Sequence, residues 1–209
     1  MNGVARLYNS SCVEAKGCAR LERFTLTEEQ ARFANTQTLF SGGRSFQRLR
    51  PGDYVRLMVN GELMMSDTDM EKITNLDIVA NAHGKVMIAG LGIGLVIDNL
   101  REKIANGIIE SIVIYEKYQD VIDLVASRYK DLPLEVRCAD ILQYIPPKQE
   151  KYDTIYFDIW PTIDVENLKE MAVLHQRWKY RKLPGAYMGS WMQDFLRNER
   201  KKEQRSSWW

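Results

Sequence analysis

Chemistry-bearing residues are scarce in this chain. Only two histidines, His83 and His175, occur among its 209 residues. That excludes a histidine-rich metal site and leaves a Ser-His-Asp triad little to build on. The three cysteines, Cys12, Cys18 and Cys138, form an odd set without C-x-x-C spacing. They read as reduced thiols of a cytoplasmic protein rather than as a disulfide frame or a zinc site. No apolar run approaches the roughly 20 residues of a membrane-spanning helix, and residues 1–20 lack the apolar stretch of a secretory signal. A net charge of +1 supplies no overall field to draw the chain to nucleic acid or an anionic membrane. What is present, 45% hydrophobic and 27% charged residues, is the composition of a soluble globular protein. The length suits one domain with an appendage.

Residues 1–24 show no firm periodicity and receive no assignment. Thr25 or Thr27, with Glu28 or Gln30 three residues later, signals a capping box for a helix running to Phe40 and stopped by Ser41-Gly42-Gly43. Beyond the turn Arg50-Pro51-Gly52-Asp53, Tyr54–Val59 alternates like a strand. Asn60-Gly61 is a strong hairpin signal, and Glu62–Ser66 is the return strand. A helix is expected from Asp69 to Asn81, with Ile73, Leu76 and Val79 or Ala80 on its inner face. Strands at Val86–Ala89, Ser111–Tyr115, Leu134–Cys138 and Thr154–Phe157 then alternate with helices at Leu95–Asn106 and Gln119–Tyr129 and a short helical segment near Ile141–Tyr144. Asp164–Arg181 reads as another helix, Leu183-Pro184-Gly185 as its exit, and Ala186–Ser190 as a last short strand. Trp191–Gln204 reads as a basic terminal helix anchored by Trp191, Phe195 and Leu196. The alternation implies βαβ units, hence an α/β fold with a doubly wound, mainly parallel sheet over residues 68–209. Residues 1–67 form a smaller helix-and-hairpin unit ahead of it.

Ligands of such a sheet bind beyond the carboxyl ends of its strands, where the strand order reverses. Four of these ends carry a signal. Val86–Ala89 runs into Gly90-Leu91-Gly92-Ile93-Gly94, a turn whose glycines let a ligand approach backbone amides beside a helix N-terminus. Glu116 closes the next strand about 20 residues on, where an acid can accept both hydroxyls of a ribose. Asp140 follows Leu134–Cys138, placed to accept from an adenine amino group. Asp158 closes Tyr152-Asp153-Thr154-Ile155-Tyr156-Phe157-Asp158 and faces the side where a reacting group would lie.

These motifs resemble those of the class I S-adenosylmethionine-dependent methyltransferases, most closely their spermidine-synthase-like branch. The resemblance covers Tyr54 to Ser190 and includes the hairpin Leu57–Asp67. It implies a Rossmann-like fold with S-adenosylmethionine as cofactor, held by Gly90, Leu91, Gly92, Gly94, Glu116, Lys117, Asp140, Ile141 and Asp158. It also implies methyl transfer to an acceptor that the motifs do not name, with Asp158 orienting or deprotonating it. Trp160 reads as a core or lid aromatic, or else as a ring that stacks on a planar or cationic acceptor.

Departures from that branch bear on the reaction. Aminopropyltransferases carry an acid inside the glycine turn, where this chain has Ile93. Their polyamine-binding elements after the hairpin are replaced by Leu63-Met64-Met65 and Asp69-Met70-Glu71. Their D-x-x-D-P motif is here Asp158-Ile159-Trp160-Pro161. One strand follows Asp158 instead of several, so the sheet is expected to be trimmed to about five strands. Aminopropyl transfer and a non-catalytic binding or assembly protein therefore stand as alternatives.

Several other residues carry two readings. Tyr115 and Tyr118 flank Glu116 and either cover the nucleoside or serve the strand. His175 reads as an exposed helix residue. Arg197–Arg205, interrupted by Glu199 and Glu203, reads as a solvated helix face, with a nucleic-acid contact the unsupported alternative. Arg44, Arg48, Arg50 and Arg56 cluster near the hairpin as a candidate anion site. Trp208-Trp209 either docks on a partner subunit of a homo-oligomer or packs back on its own domain.

Overall fold

The computed structural model describes residues 10–40 and 48–206. The stop signal Ser41-Gly42-Gly43, Arg44 and Trp208-Trp209 lie outside them. Two sheets build the molecule. The first is antiparallel, in the order β1 (Ser10–Lys16), β2 (Ala19–Leu26), β3 (Gly52–Val59), β4 (Glu62–Ser66), with helix α1 (Glu28–Phe40) between β2 and β3. The expected hairpin is β3–β4. The unassigned N-terminal stretch supplies two strands, and β2 pairs along β3 from Ala19↔Val59 to Leu26↔Gly52.

The periodicity of β2 was hidden because its apolar residues change faces partway. Ala19 and Leu21, opposite Val59 and Leu57, belong to the main core. Phe24 and Leu26 lie on the other side and pack with Tyr54 and Ala31 of α1. Alternation read as one phase therefore breaks between Leu21 and Phe24. The capping box of α1 forms as expected: Thr27 N–H donates to Gln30 Oε1 at 2.8 Å, and Gln30 N–H donates to Thr27 Oγ1 at 3.2 Å.

The second sheet is fully parallel, with β5 (Gly84–Ala89), β6 (Ile109–Glu116), β7 (Leu134–Cys138), β8 (Tyr152–Phe157) and β9 (Lys182–Ser190) in the order β7-β6-β5-β8-β9. This is a doubly wound, Rossmann-like sheet of five strands. Crossovers through α4 (Leu95–Ala105) and α5 (Gln119–Val125) run one way from β5, whereas α6 (Asn167–Trp178) leads the other way from β8. Right-handed connections then put these helices on opposite faces. Central β5 is sealed on both sides, and Val86, Met87, Ile88 and Ala89 are at most 1% exposed.

Three expectations need correction. The helix over Asp69–Asn81 is two short helices, α2 (Asp69–Thr74) and α3 (Leu76–Asn81), broken at Asn75. Its inner face is Glu71, Thr74, Asn75 and Ile78, whereas Ile73 and Leu76 are 49% and 59% exposed. Polar residues hold the inward positions, so a hydrophobic periodicity picks the wrong face. The segment near Ile141–Tyr144 is a turn rather than a helix. Pro184-Gly185 lies inside β9, not ahead of it. There the register against β8 jumps between Tyr152↔Lys182 and Thr154↔Tyr187, and an edge strand tolerates proline at such a bulge.

Terminal helix α7 (Gln193–Ser206) is anchored by buried Trp191 and Leu196, and its basic residues are mostly exposed. Among the described residues no helix is long and apolar enough to cross a membrane.

Candidate functional site

A cavity of about 200 Å³ opens at the carboxyl ends of the parallel strands. Its wall contains Gly90, Leu91, Gly92, Glu116, Lys117, Asp140, Ile141, Asp158 and Trp160, all but one of the residues expected to hold the cofactor or the acceptor. The exception is Gly94. It begins α4 in a left-handed conformation, and a Cβ there would stand 2.0 Å from the Tyr129 hydroxyl, which donates to the Gly94 carbonyl at 3.2 Å. Gly94 therefore serves the packing of the helix start and not the cavity wall.

Glu116 ties two strand ends together. Its Oε2 accepts from the Leu91 amide at 3.0 Å and its Oε1 from the Tyr118 amide at 2.9 Å. Both bonds orient the carboxylate and leave each oxygen a further lone pair for a ligand hydroxyl. Asp140 is more committed than expected. Its Oδ1 accepts from the Leu142 amide at 3.0 Å, and its Oδ2 pairs with Lys117 at 3.2 Å, which raises the lysine pKa.

Behind this loop, Arg177 of α6 donates to the carbonyls of Ile141, Leu142 and Tyr144 at 3.1, 2.7 and 3.2 Å. One planar guanidinium thus satisfies the irregular backbone that replaces a helix after β7. Tyr115 is a buried strand residue whose hydroxyl donates to Glu150 at 3.0 Å; Tyr115 and Tyr118 both line the cavity.

Asp158 lies deep in the site, and burial pushes its carboxyl up to about 7. A second acid stands near it. Glu71 of α2 is pushed up to about 8, first by burial and then by the Asp158 charge. Sequence reasoning noted Glu71 only as a departure from a polyamine motif. Trp160 is buried, and its indole N–H donates to Glu170 at 2.8 Å, so only its apolar surface faces the cavity.

The antiparallel sheet roofs the site with Leu57, Val59, Met64 and Met65. Met65 rests on the glycine turn: its Sδ accepts from the Ile93 amide at 3.3 Å. The Ile93 side chain is buried in the core rather than in the cavity wall. The sequence marks these roof residues only as part of the Leu57–Asp67 hairpin, and their place over the glycine turn depends on docking of the antiparallel sheet, including its β1–β2 turn. That turn is fixed by the Cys18 amide, which donates to Asp120 at the start of α5 at 2.8 Å.

Other candidates fall away from the site. His175 is half-buried rather than exposed, packed on Phe157 and bonded to Ser190 at 2.8 Å, and burial lowers it to about 4. The arginine cluster does not form a free anion site, since Arg56 pairs with Glu22 at 2.7 Å and Arg50 with Asp69 at 3.2 Å.

No family model and no curated protein matches the chain. Solved structures similar to it include an S-adenosylmethionine-dependent methyltransferase from Clostridium acetobutylicum, 17% identical over 58% of this chain and 50% of that one, with a TM-score of 0.42. A SAM-dependent methyltransferase from Leishmania major is 14% identical over 57% of this chain and 48% of that one, with a TM-score of 0.44. Coclaurine N-methyltransferase, bound to N-methylheliamine and S-adenosylhomocysteine, is 18% identical over 58% of this chain and 35% of that one, with a TM-score of 0.45. The chain spans half or less of the length of these proteins. At such identity a shared fold leaves the reaction open.

Proposed function

We propose that the chain is a small S-adenosylmethionine-dependent methyltransferase whose cofactor lies along the carboxyl ends of β5, β6 and β7. The observation that carries this reading is the hydrogen bond from the Leu91 amide to Glu116, which makes the glycine turn and the ribose-type acid a single preformed unit. The donor set fits the group. Glu116 retains lone pairs for two hydroxyls, and Ala139, Ile141, Leu142 and Val121 offer an apolar slot for a flat base. Four acidic side chains, two of them holding protons near neutrality, against one lysine in the wall suit a cationic sulfonium better than an anion. When bound, the cofactor supplies an activated methyl group.

The chain's own residues would hold and orient. Gly90, Leu91 and Gly92 form the cradle, Lys117 steadies Asp140, and Ile141 packs against the base. Asp158 orients the acceptor and takes up its proton, a role suited to a carboxyl poised near neutrality. Trp160 supplies an apolar wall beside it, and alignment of the reacting groups supplies much of the rate. The antiparallel sheet within residues 1–67 acts through Leu57, Val59, Met64 and Met65 as the roof that keeps water from the site, and the parallel sheet within residues 68–209 as the binding domain.

Incubation with methyl-labelled cofactor against pools of protein, nucleic acid and small molecules tests the reaction. Label transfer by the wild type, lost in Asp158→Asn with S-adenosylhomocysteine binding retained, is the expected result. Transfer undiminished in Asp158→Asn removes Asp158 from the reaction. Binding without transfer to any pool favours the non-catalytic alternative. Turnover of decarboxylated cofactor with putrescine would favour aminopropyl transfer, although the glycine turn offers Ile93 where that chemistry calls for an acid.

A further inference from the structure

We infer that the β8–β9 end of the cavity is a cation subsite, in which Glu71 and Asp158 together receive an ammonium group of the acceptor. The inference rests on the proposed function for the word acceptor, but the subsite itself is read from its walls.

Strand order divides the cavity. The glycine turn, Glu116 and Asp140 lie at β5, β6 and β7, whereas Asp158 lies at β8 and Trp191 follows β9. On the β8–β9 side the wall is Glu71, Asp158, Ile159, Trp160, Pro161 and Trp191. Its two indole N–H groups are already spent, Trp160 on Glu170 at 2.8 Å and Trp191 on Thr74 at 3.0 Å. Neither can greet an anion or a carbonyl. Among the described residues the only cation in the cavity wall, Lys117, pairs with Asp140 at the other end.

Glu71 and Asp158 thus face the cavity without a cationic partner among the described residues, and Glu71 feels the Asp158 charge. This end of the site holds acceptors in excess and needs a ligand that brings donors and positive charge. An ammonium group supplies three donors and offsets the repulsion between the two acids. The indole faces and the roof residues Leu57 and Met64 would take an alkyl or aryl stem.

Other titratable groups also stand near the pair. Glu116, Lys117 and Asp140 are in the same cavity, while Tyr156 of β8 and Tyr187 of β9, both raised by burial, and Asp77 of α3 lie behind it.

Calorimetric titration of the full chain with hexylammonium and with hexanol, each with and without saturating S-adenosylhomocysteine, tests the subsite. Hexylammonium is expected to bind about tenfold or more tightly than the alcohol of equal length. Its affinity should rise as pH increases through about 7 and about 8. Glu71→Gln, nearly isosteric and verified by an unchanged melting transition at pH 6, should cut the preference for the ammonium severalfold and abolish the upper part of that rise. Equal affinity for the two probes, or a preference unaltered in both Glu71→Gln and Asp158→Asn, overturns the inference. Failure of S-adenosylhomocysteine to bind while hexylammonium still does overturns the cofactor assignment and leaves the subsite standing.

Discussion

The Leu91 amide donates to Glu116 Oε2 at 3.0 Å across the boundary between β5 and β6. This bond, with its companion from the Tyr118 amide at 2.9 Å, makes Glu116 a structural keystone as well as a cavity-lining acid. Glu116→Ala leaves two backbone donors short of a partner, at a cost of about 1–3 kcal/mol for each that stays buried. The expected outcome is a melting temperature lowered by several degrees and S-adenosylhomocysteine affinity reduced more than tenfold. Thermal melts and calorimetry read both. An unchanged affinity would remove Glu116 from the site.

Met65 and Gly92 form a matched pair. A Cβ on Gly92 would stand 2.1 Å from Met65 Sδ, and the residue has a φ of +53°. Gly92→Ala should therefore destabilise the chain, and adding Met65→Ala should recover part of the loss by opening space. The part that remains is backbone strain. Gly90→Ala is the control, because its Cβ would meet the Asp158 carbonyl at 2.0 Å and no side-chain trimming relieves a backbone clash. A melting-temperature cycle over these variants measures the coupling.

Arg177 acts at a distance from any ligand. Its removal in Arg177→Ala frees the carbonyls of Ile141, Leu142 and Tyr144 from their shared donor. The loop that carries Ile141 should loosen, with cofactor affinity falling about tenfold and the melting temperature dropping a few degrees. Arg177→Lys should restore only part of both, since all three carbonyls meet the single nitrogen Nη1 and the shorter lysine stem ends its ammonium short of that point. Full recovery by lysine would show that charge, not geometry, holds the loop.

The fold's parallel half was readable because its strands are short apolar runs separated by helices at regular intervals, and the hairpin because Asn60-Gly61 permits little else. The site was readable where backbone chemistry demands particular residues, as at Gly90, Gly92, Glu116 and Asp158. It was not readable where tertiary docking decides. β1 and β2 hid behind a change of face between Leu21 and Phe24, and Glu71 behind a helix whose inner face is polar. Met65, Trp191 and Arg177 carry no local signature, since their roles exist only once distant segments meet. Gly94 looked like part of the cradle because a glycine run cannot say which member faces the ligand and which accommodates Tyr129.

Stability should carry the imprint of Glu71. Burial and the neighbouring Asp158 push it from 4.5 up to about 8, so the folded state keeps a proton that the unfolded chain releases near pH 4.5. Its contribution is fully present below pH 4.5 and is lost as pH rises toward 8. Asp158 adds the same trend between 3.8 and about 7. His175, lowered from 6.5 to about 4, opposes it at the acid end by losing stability as pH falls through that window. Glu71→Gln should flatten the decline above pH 5 and melt a few degrees higher than the wild type at pH 9. Melting curves collected across pH 4–9 would show this, and parallel profiles for the two proteins would contradict it.

The central claim is that the turn at Gly90–Gly92 and the acid at Glu116 hold S-adenosylmethionine. Calorimetric titration of the wild-type chain with S-adenosylhomocysteine tests it most directly. The account predicts saturable binding at one site with a dissociation constant well below millimolar, weakened more than tenfold by Glu116→Ala. Absence of binding heat at millimolar ligand, together with an unshifted melting temperature, would contradict it.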